Sequence, residues 1–513
     1  MARQSNTDLY YLIRSLSGGD KAYYHKMARR HTGNKTALHQ QLFRMMDVAV
    51  MPNDPELRKA LGGVSATQFS GLKAYLCRDI LDTLVFSRRH ESIPLQLQFL
   101  LLQVQYLLSC KLASLARSYY TKAWELACLH EQYDVLLKLL ELKAALLEET
   151  SYREYRAQIV QDEALLQAYS GFQVQERQLR NTGQSLLLLQ KSSPLRITET
   201  ETTEAKALLR LLAAMPAFGG SRRLYFLHGA HCAMAGYLSG AYEAAIAAGE
   251  ALLAHLQTWP HLIQAEPEAF LQGAYFLLYS DFALNLLPEA TAHLALLSDI
   301  AEVQLPPGAY RQRWEIIAFN ARLKVAHKTC DFAAVAGYLA QYPRIKKIAA
   351  QALPPAEQLT VATSVCISHF VLEDWAAAES ILIDVREQNR AVLREDVLYF
   401  TALFYLLILY EKKDWYMLDT TIEATYHMLY ARKQLRPFEK DILLFLRHLP
   451  AAYDITEKRA LIESFLLRLD ALRDDPVQRL YFLYFNYYGW LKSKALGISY
   501  QQYKKGELAE AGA

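Results

Sequence analysis

In the C-terminal half, apolar residues recur at helical spacing in blocks. Each block opens on an acidic residue followed by a large aromatic: Asp331-Phe332, Asp374-Trp375 and Asp414-Trp415. After Trp375 the apolar positions run Ala378, Leu382 and Val385, and after Trp415 they run Leu418, Ile422 and Leu429. This is the stripe of a helix with one buried face. Asp is a favoured N-cap because its carboxylate accepts hydrogen bonds from the otherwise unpaired first N–H groups and suits the positive end of the helix dipole. Each Asp therefore predicts a helix start, and each ring the first core residue of that helix. Upstream of the caps lie second apolar segments, Gln358 to Leu372 before Asp374 and Val397 to Tyr410 before Asp414, with only a short polar turn between. Helices joined so tightly are antiparallel neighbours.

The pattern repeats. Phe332 and Trp375 are 43 residues apart, and Trp375 and Trp415 are 40 apart. Upstream, Tyr242 after Gly240 opens a stretch carrying Ala245, Ile246, Gly249, Leu252, Leu253 and Leu256, and Leu287-Pro288 opens another with Pro in the first helical turn. Both steps, Tyr242 to Leu287 and Leu287 to Phe332, are 45 residues. Downstream, Thr456 is placed to cap a helix holding Leu461, Phe465, Leu469 and Leu472. Successive hairpins that cannot bury their apolar faces alone predict an all-α solenoid.

Around Gly240 the chain resembles a tetratricopeptide repeat. Tyr225, Gly229, Ala241 and Ala248 stand where that motif has an aromatic, a small residue at the helix crossing and two small residues in the second helix. His228 and Cys232 replace its Leu and Tyr, and the period of about 40–45 exceeds the ~34 of the standard unit. The resemblance implies a tetratricopeptide-like superhelix of antiparallel hairpins with lengthened helices; HEAT-like geometry is the alternative. It names no ligand.

Boundaries follow from composition. Short helices broken by Gly18-Gly19, Pro52 to Pro55 and Gly62-Gly63 fill residues 1–92. Residues 93–190 hold longer helices, including Leu95 to Leu112, Tyr133 to Leu147 and a charged stretch from Tyr152 to Gln190. The Ser/Thr/Glu-rich run Lys191 to Glu204 reads as a connecting loop. Hairpin repeats then occupy 205–475 and an aromatic capping helix with its tail 476–513. The longest apolar run, Val397 to Tyr410, falls short of the roughly 18 residues a membrane span requires and reads as a core helix. Leu9 to Ile13 is too brief for the apolar core of an export signal. Cys77, Cys110, Cys128, Cys232, Cys330 and Cys366 are scattered and read as reduced, buried small hydrophobes. Together these predict a cytoplasmic protein without a membrane partner.

Candidate chemistry is sparse. Residues 1–90 carry 14 Lys or Arg against 7 Asp or Glu in a chain of net charge +3. A basic N-terminal portion suits nucleic acid or an acidic partner, and Ser17 to Met46, with Arg29-Arg30, can be stretched into a helix-turn-helix. Scattered basic residues are also what any solvated helix pair shows. His228, His231 and Cys232 share one helix face, but a metal site takes three or four converging ligands and no second cluster accompanies them. Gly33-Asn34-Lys35-Thr36 lacks the earlier glycine and preceding strand of a phosphate loop and reads as a turn. Glu148-Glu149 and Asp474-Asp475 are adjacent acids that point apart, and so read as solvated surface. The expectation is no catalytic residue, no metal and no cofactor.

The segment Tyr481 to Trp490 puts rings on nearly every helix face: Tyr481, Phe482, Tyr484, Phe485, Tyr487, Tyr488 and Trp490. Either the tail Ser499 to Leu508 folds back to cover it, or Tyr481, Tyr484, Tyr488 and Trp490 form a contact surface for a partner. Leu12-Ile13, Ser15-Leu16-Ser17, Lys21-Ala22-Tyr23-Tyr24 and Leu42-Phe43, together with Trp490-Leu491-Lys492-Ser493-Lys494, resemble the ends of large bacterial helical-repeat proteins of unassigned function. That resemblance transfers no active site. The functional expectation is a non-enzymatic scaffold or adaptor for another protein or peptide, with a nucleic-acid-associated regulator as the alternative.

Overall fold

The structure, a computed structural model, describes residues 6–32, 37–48, 53–146, 152–192, 199–215, 218, 220–388, 395–432, 435–451, 454–472 and 485–511. Among them every regular element is helical, and the fold is all-α. Gly33 to Thr36, Glu148-Glu149, Asp474-Asp475, Tyr481, Phe482 and Tyr484 lie outside the described residues. The chain divides into two compact units, Met1–Ser170 and Gly171–Ala513.

The first unit contains α1 (Asn6–Ser15), α2 (Gly18–Thr32), α3 (Leu38–Val48), α4 (Asp54–Ala60), α5 (Ala66–Ser87), α6 (Ile93–Ser109), α7 (Ala113–Leu129), α8 (Tyr133–Leu146) and the start of α9 (Tyr152–Ser192). Leu9, Ile13, Tyr24, Phe43, Met46, Phe69, Leu76 and Ile80 build one core from the first helices. Within it Tyr24 stacks on Phe43 at 4.9 Å and donates its hydroxyl to Asp79 at 2.7 Å. Several of the N-terminal cations are held internally: Lys21 by Asp47 at 2.5 Å, Lys73 by Asp54 at 3.0 Å and Arg88 by Asp20 at 2.6 Å.

The second unit begins inside α9 and continues through α10 (Glu199–Ala213), α11 (Arg222–Ser239), α12 (Tyr242–Thr258), α13 (Leu262–Ala265), α14 (Pro267–Ala283), α15 (Leu287–Gln304), α16 (Ala309–Lys328), α17 (Phe332–Leu339), α18 (Tyr342–Ala352), α19 (Pro355–Val371), α20 (Trp375–Gln388), α21 (Glu395–Lys412), α22 (Trp415–Ala431), α23 (Pro437–His448), α24 (Ile455–Leu472), α25 (Tyr487–Leu496) and α26 (Tyr500–Ala511). Of the expected connecting loop at Lys191 to Glu204, the ends are helical and residues 193–198 are not described. Consecutive helices pair: α11 with α12, α14 with α15, α16 with α17, α19 with α20 and α21 with α22. The first helices of these pairs also pack on one another in sequence, α11 on α14, α14 on α16, α16 on α19 and α19 on α21. The apolar stripes lie where spacing put them: Ala378, Leu382, Val385, Leu418, Ile422 and Leu429 are all buried. Glycines set the closest crossing. A methyl at Gly236 would meet the Ala245 backbone at 2.8 Å, and one at Gly249 would meet Leu277 at 2.9 Å; Gly229 has ordinary room, 3.5 Å from Leu252.

Each pair turns in the same way. Gly240, Asn285, Cys330, Glu373 and Lys413 have positive φ, between 54° and 78°. The next residue donates its N–H back across the helix end: Ala241 to Gly236, Leu286 to Asp281, Asp331 to Ala326, Asp374 to His369 and Asp414 to Leu409, at 2.9–3.0 Å. This is the six-to-one bond of a Schellman termination. In the last three turns that residue also caps the following helix: Asp331, Asp374 and Asp414 accept from Ala334, Ala377 and Met417 at 2.9, 3.2 and 3.2 Å. One residue in the left-handed region thus separates two helices. The first unit uses the same device at Lys111 and Glu131.

Four expectations change. Trp415 is 44 % exposed and meets Tyr410 edge-on at 5.7 Å, so its ring bridges the turn rather than opening the core. Asp454, not Thr456, caps α24, accepting from Glu457 at 2.6 Å. The helix that Asp331 caps ends at Leu339, and α18 starts afresh with Pro343 in its first turn, where the missing N–H costs no hydrogen bond. Cys110 and Cys128 are exposed; all six thiols are free.

A non-glycine residue in the left-handed region costs roughly 1–2 kcal/mol. Glu373→Gly and Lys413→Gly should therefore each stabilise the protein by roughly 0.5–1 kcal/mol once the greater freedom of glycine in the unfolded chain is subtracted. Asp414→Ala should destabilise it by about 1 kcal/mol through loss of the cap. Urea midpoints followed by far-ultraviolet circular dichroism check both signs, and destabilisation by glycine at both turns would refute the strained-turn account.

Candidate functional site

On the stacked first helices of the second unit, α11, α14 and α16, the partly exposed side chains include three tyrosines and a lysine, Tyr237, Tyr275, Tyr279 and Lys324. Tyr275 and Tyr279, one turn apart on α14, stack at 4.2 Å between ring centroids. Tyr237 on α11 meets Phe276 at 5.4 Å and Tyr242 at 5.7 Å. From α16, the Lys324 ammonium lies 4.7 Å over the Tyr279 ring and 5.2 Å from the buried Phe282. Burial raises the Tyr237, Tyr275 and Tyr279 hydroxyls above the ordinary tyrosine range, so they act as neutral donors and acceptors. Burial, with Lys328 adding repulsion, brings Lys324 down to about 8. No carboxylate among the described residues pairs with it.

One turn before Lys324, the Asn320 amide oxygen is buried without a hydrogen-bond partner among the described residues. One turn after it, Lys328 donates to Asn285 at 2.7 Å and is lowered by burial and by the charge of Lys504. On the adjoining surface Arg313 pairs with Glu268 across α16 and α14. The recess thus carries aromatic rings beside Lys324 and Lys328, with Glu357 close enough to Tyr275 to raise its hydroxyl further.

A second charged cluster has the opposite character. Arg223, 1 % exposed, is held between Glu176 and Glu266, and Arg180 reaches the same two acids at 2.8 and 2.6 Å. Burial alone would raise the Glu176 carboxyl, but Arg223 and Arg180 beside it hold it below the usual range. Two cations and two anions close on themselves here. Such a network locks α9, α11 and the start of α14 in register and leaves no charge for a ligand.

The histidine and cysteine face of α11 is structural. His228 bonds the Leu212 carbonyl at 3.0 Å, and the Cys232 sulfur lies 3.5 Å from its ring. The His231 ring fills the space over Gly183, where a methyl would come within 2.4 Å of it. Burial, then Arg180 and His228, bring His231 down to about 4, and burial pushes the Cys232 thiol up to about 11. Among the described residues no group of three His, Cys, Asp or Glu side chains is arranged to hold a metal, and no helix is long and apolar enough to cross a membrane.

The aromatic C-terminal segment packs back on earlier helices of the second unit. Trp490 is 1 % exposed and donates its indole N–H to Glu411 at 2.6 Å; Lys494 reaches the same carboxylate, also at 2.6 Å. Phe485 packs on Phe370 and Phe404, and Tyr487 on Phe438. The tail covers them in turn. Tyr500 lies 5.5 Å from Phe485, and the Lys504 carbonyl accepts from the Cys330 thiol. Trp490 is therefore a core residue, not an open contact, because its indole N–H and ring are both satisfied within the chain. Tyr488 stays partly exposed beneath Lys492 at 4.9 Å.

Little in the apolar pattern marks the recess. Tyr275 and Tyr279 look like ordinary partly buried ring positions, and Lys324 is one of two cations, with Arg322, between Ala321 and Ala326. No residue there stands out by its type. No protein-family model matches the chain, and none of the curated proteins or solved structures compared with it matches either. What the fold defines is an all-α protein of packed helical hairpins.

Two buried histidines tie stability to pH. His231 and His327, both brought down to about 4 by burial, stay neutral in the folded chain while the unfolded chain protonates near 6.5. Between those values the unfolded state binds more protons, so stability falls as pH drops from about 6.5 to 4 and levels off below. The paired variant His231→Gln, His327→Gln should lose its melting temperature less steeply across this window. An unchanged slope would show that these rings do not carry the effect.

Proposed function

We propose that this chain is a non-enzymatic protein-binding scaffold or adaptor, with its second unit forming a tetratricopeptide-like superhelix. The observation that carries this reading is the alignment of Tyr237, Tyr275, Tyr279 and Lys324 on three successive first helices that pack directly on one another. Stacked hairpins expose the same face of each repeat to a common groove, and such grooves suit extended or helical polypeptides. Tyrosine suits the lining: a large rigid ring gives contact area at low entropic cost, and its hydroxyl finds main-chain partners. The uniform turn supports the superhelical reading too, since the same termination at each step repeats the same rotation between hairpins.

Proximity labelling tests this directly. A photoreactive benzoylphenylalanine in place of Tyr279 should capture a discrete polypeptide in cells of the native host, whereas the same group in place of Val303, an exposed residue of α15, should not. Equal labelling from both positions, or none from position 279, would remove the groove as the binding face.

A further inference from the structure

We propose that the recess around Lys324 is a carboxylate subsite, taking an acidic side chain of a bound peptide. This deepens the scaffold reading and rests on it. Lys324 lies among Tyr279, Phe282 and Lys328, and no described carboxylate pairs with it. The charge around it is unbalanced: Lys324, Lys328 and Lys504 follow one another from α16 to α26, and of the three only Lys504 has an acid, Glu507 on its own helix. A partly buried ammonium over rings is stabilised by their negative faces, but far less than by a carboxylate. The contrast with Arg223, whose two acids come from separate helices, shows how this fold neutralises a cation that is purely structural.

An acidic side chain of a polypeptide supplies the full negative charge that the rings beside Lys324 do not.

A fluorescein-labelled hexaglutamate peptide with an amidated C-terminus is the probe. The intact chain should bind it saturably, and Lys324→Met should weaken binding roughly tenfold or more, the loss expected for a hydrogen bond to a charged group. Lys324→Arg should retain most of the affinity. Lys347→Met, which removes an exposed charge, should change it less than about twofold, separating the recess from net charge. Unchanged melting temperatures in all three variants exclude misfolding as the cause. Absence of saturable binding, equal loss in Lys347→Met, or displacement by inorganic phosphate but not by acetate at constant ionic strength would each overturn the proposal. If the photoreactive group at position 279 still captures its polypeptide with undiminished yield in Lys324→Met, the scaffold survives and the carboxylate subsite does not.

Discussion

One backbone hydrogen bond recurs at five helix pairs of the second unit and governs the rest. The residue after the left-handed position returns its N–H to the carbonyl five residues earlier, so only two or three residues separate the end of the first helix from the start of the second. That leaves no slack between the two helices. The left-handed residues of these turns lie 40–45 positions apart along the chain. The turn tolerates Gly240, Asn285, Cys330, Glu373 and Lys413 alike at its strained position. Packing on both sides therefore outweighs the local cost, as tertiary context commonly outweighs intrinsic preference.

The parts of this fold that were legible were those where the side chain itself does the work. Asp331, Asp374 and Asp414 cap helices because a carboxylate is the right acceptor there, and the stripes beginning at Ala245, Ala378 and Leu418 are buried because alternate faces must separate apolar from polar. The strained residue was hidden because the backbone carries that strain and, apart from Gly240, the residue type does not announce it. Trp415 misled for a related reason. A ring at the first helical position is close enough to the preceding helix end to lean back on Tyr410, and the core begins only at Leu418.

The recess was illegible because its identity depends on what surrounds a residue rather than on the residue. Arg223 and Lys324 each lie within two residues of another cation, Arg222 and Arg322, and spacing treats them alike. Only the arrangement of α9, α11 and α14 brings Glu176 and Glu266 to Arg223, whereas α14 offers Lys324 aromatic faces instead. A satisfied buried ion pair fixes register and has nothing left to offer a partner. An unmatched cation retains most of its interaction energy for whatever anion reaches it.

The same logic explains why the C-terminal aromatics do not compete for that role. Phe485, Tyr487, Trp490 and Tyr500 lie against Phe370, Phe404, Tyr410 and Phe438, so the segment runs back over the ends of three first helices and reaches the turn at Cys330. Glu411 fixes it by accepting from both Trp490 and Lys494. The segment thereby covers apolar rings of α19, α21 and α23 with the chain's own rings. Closure ends at the Cys330 turn, where Lys504 meets Lys328. From there toward α11 the first helices carry Lys324, Tyr279, Tyr275 and Tyr237, all partly exposed.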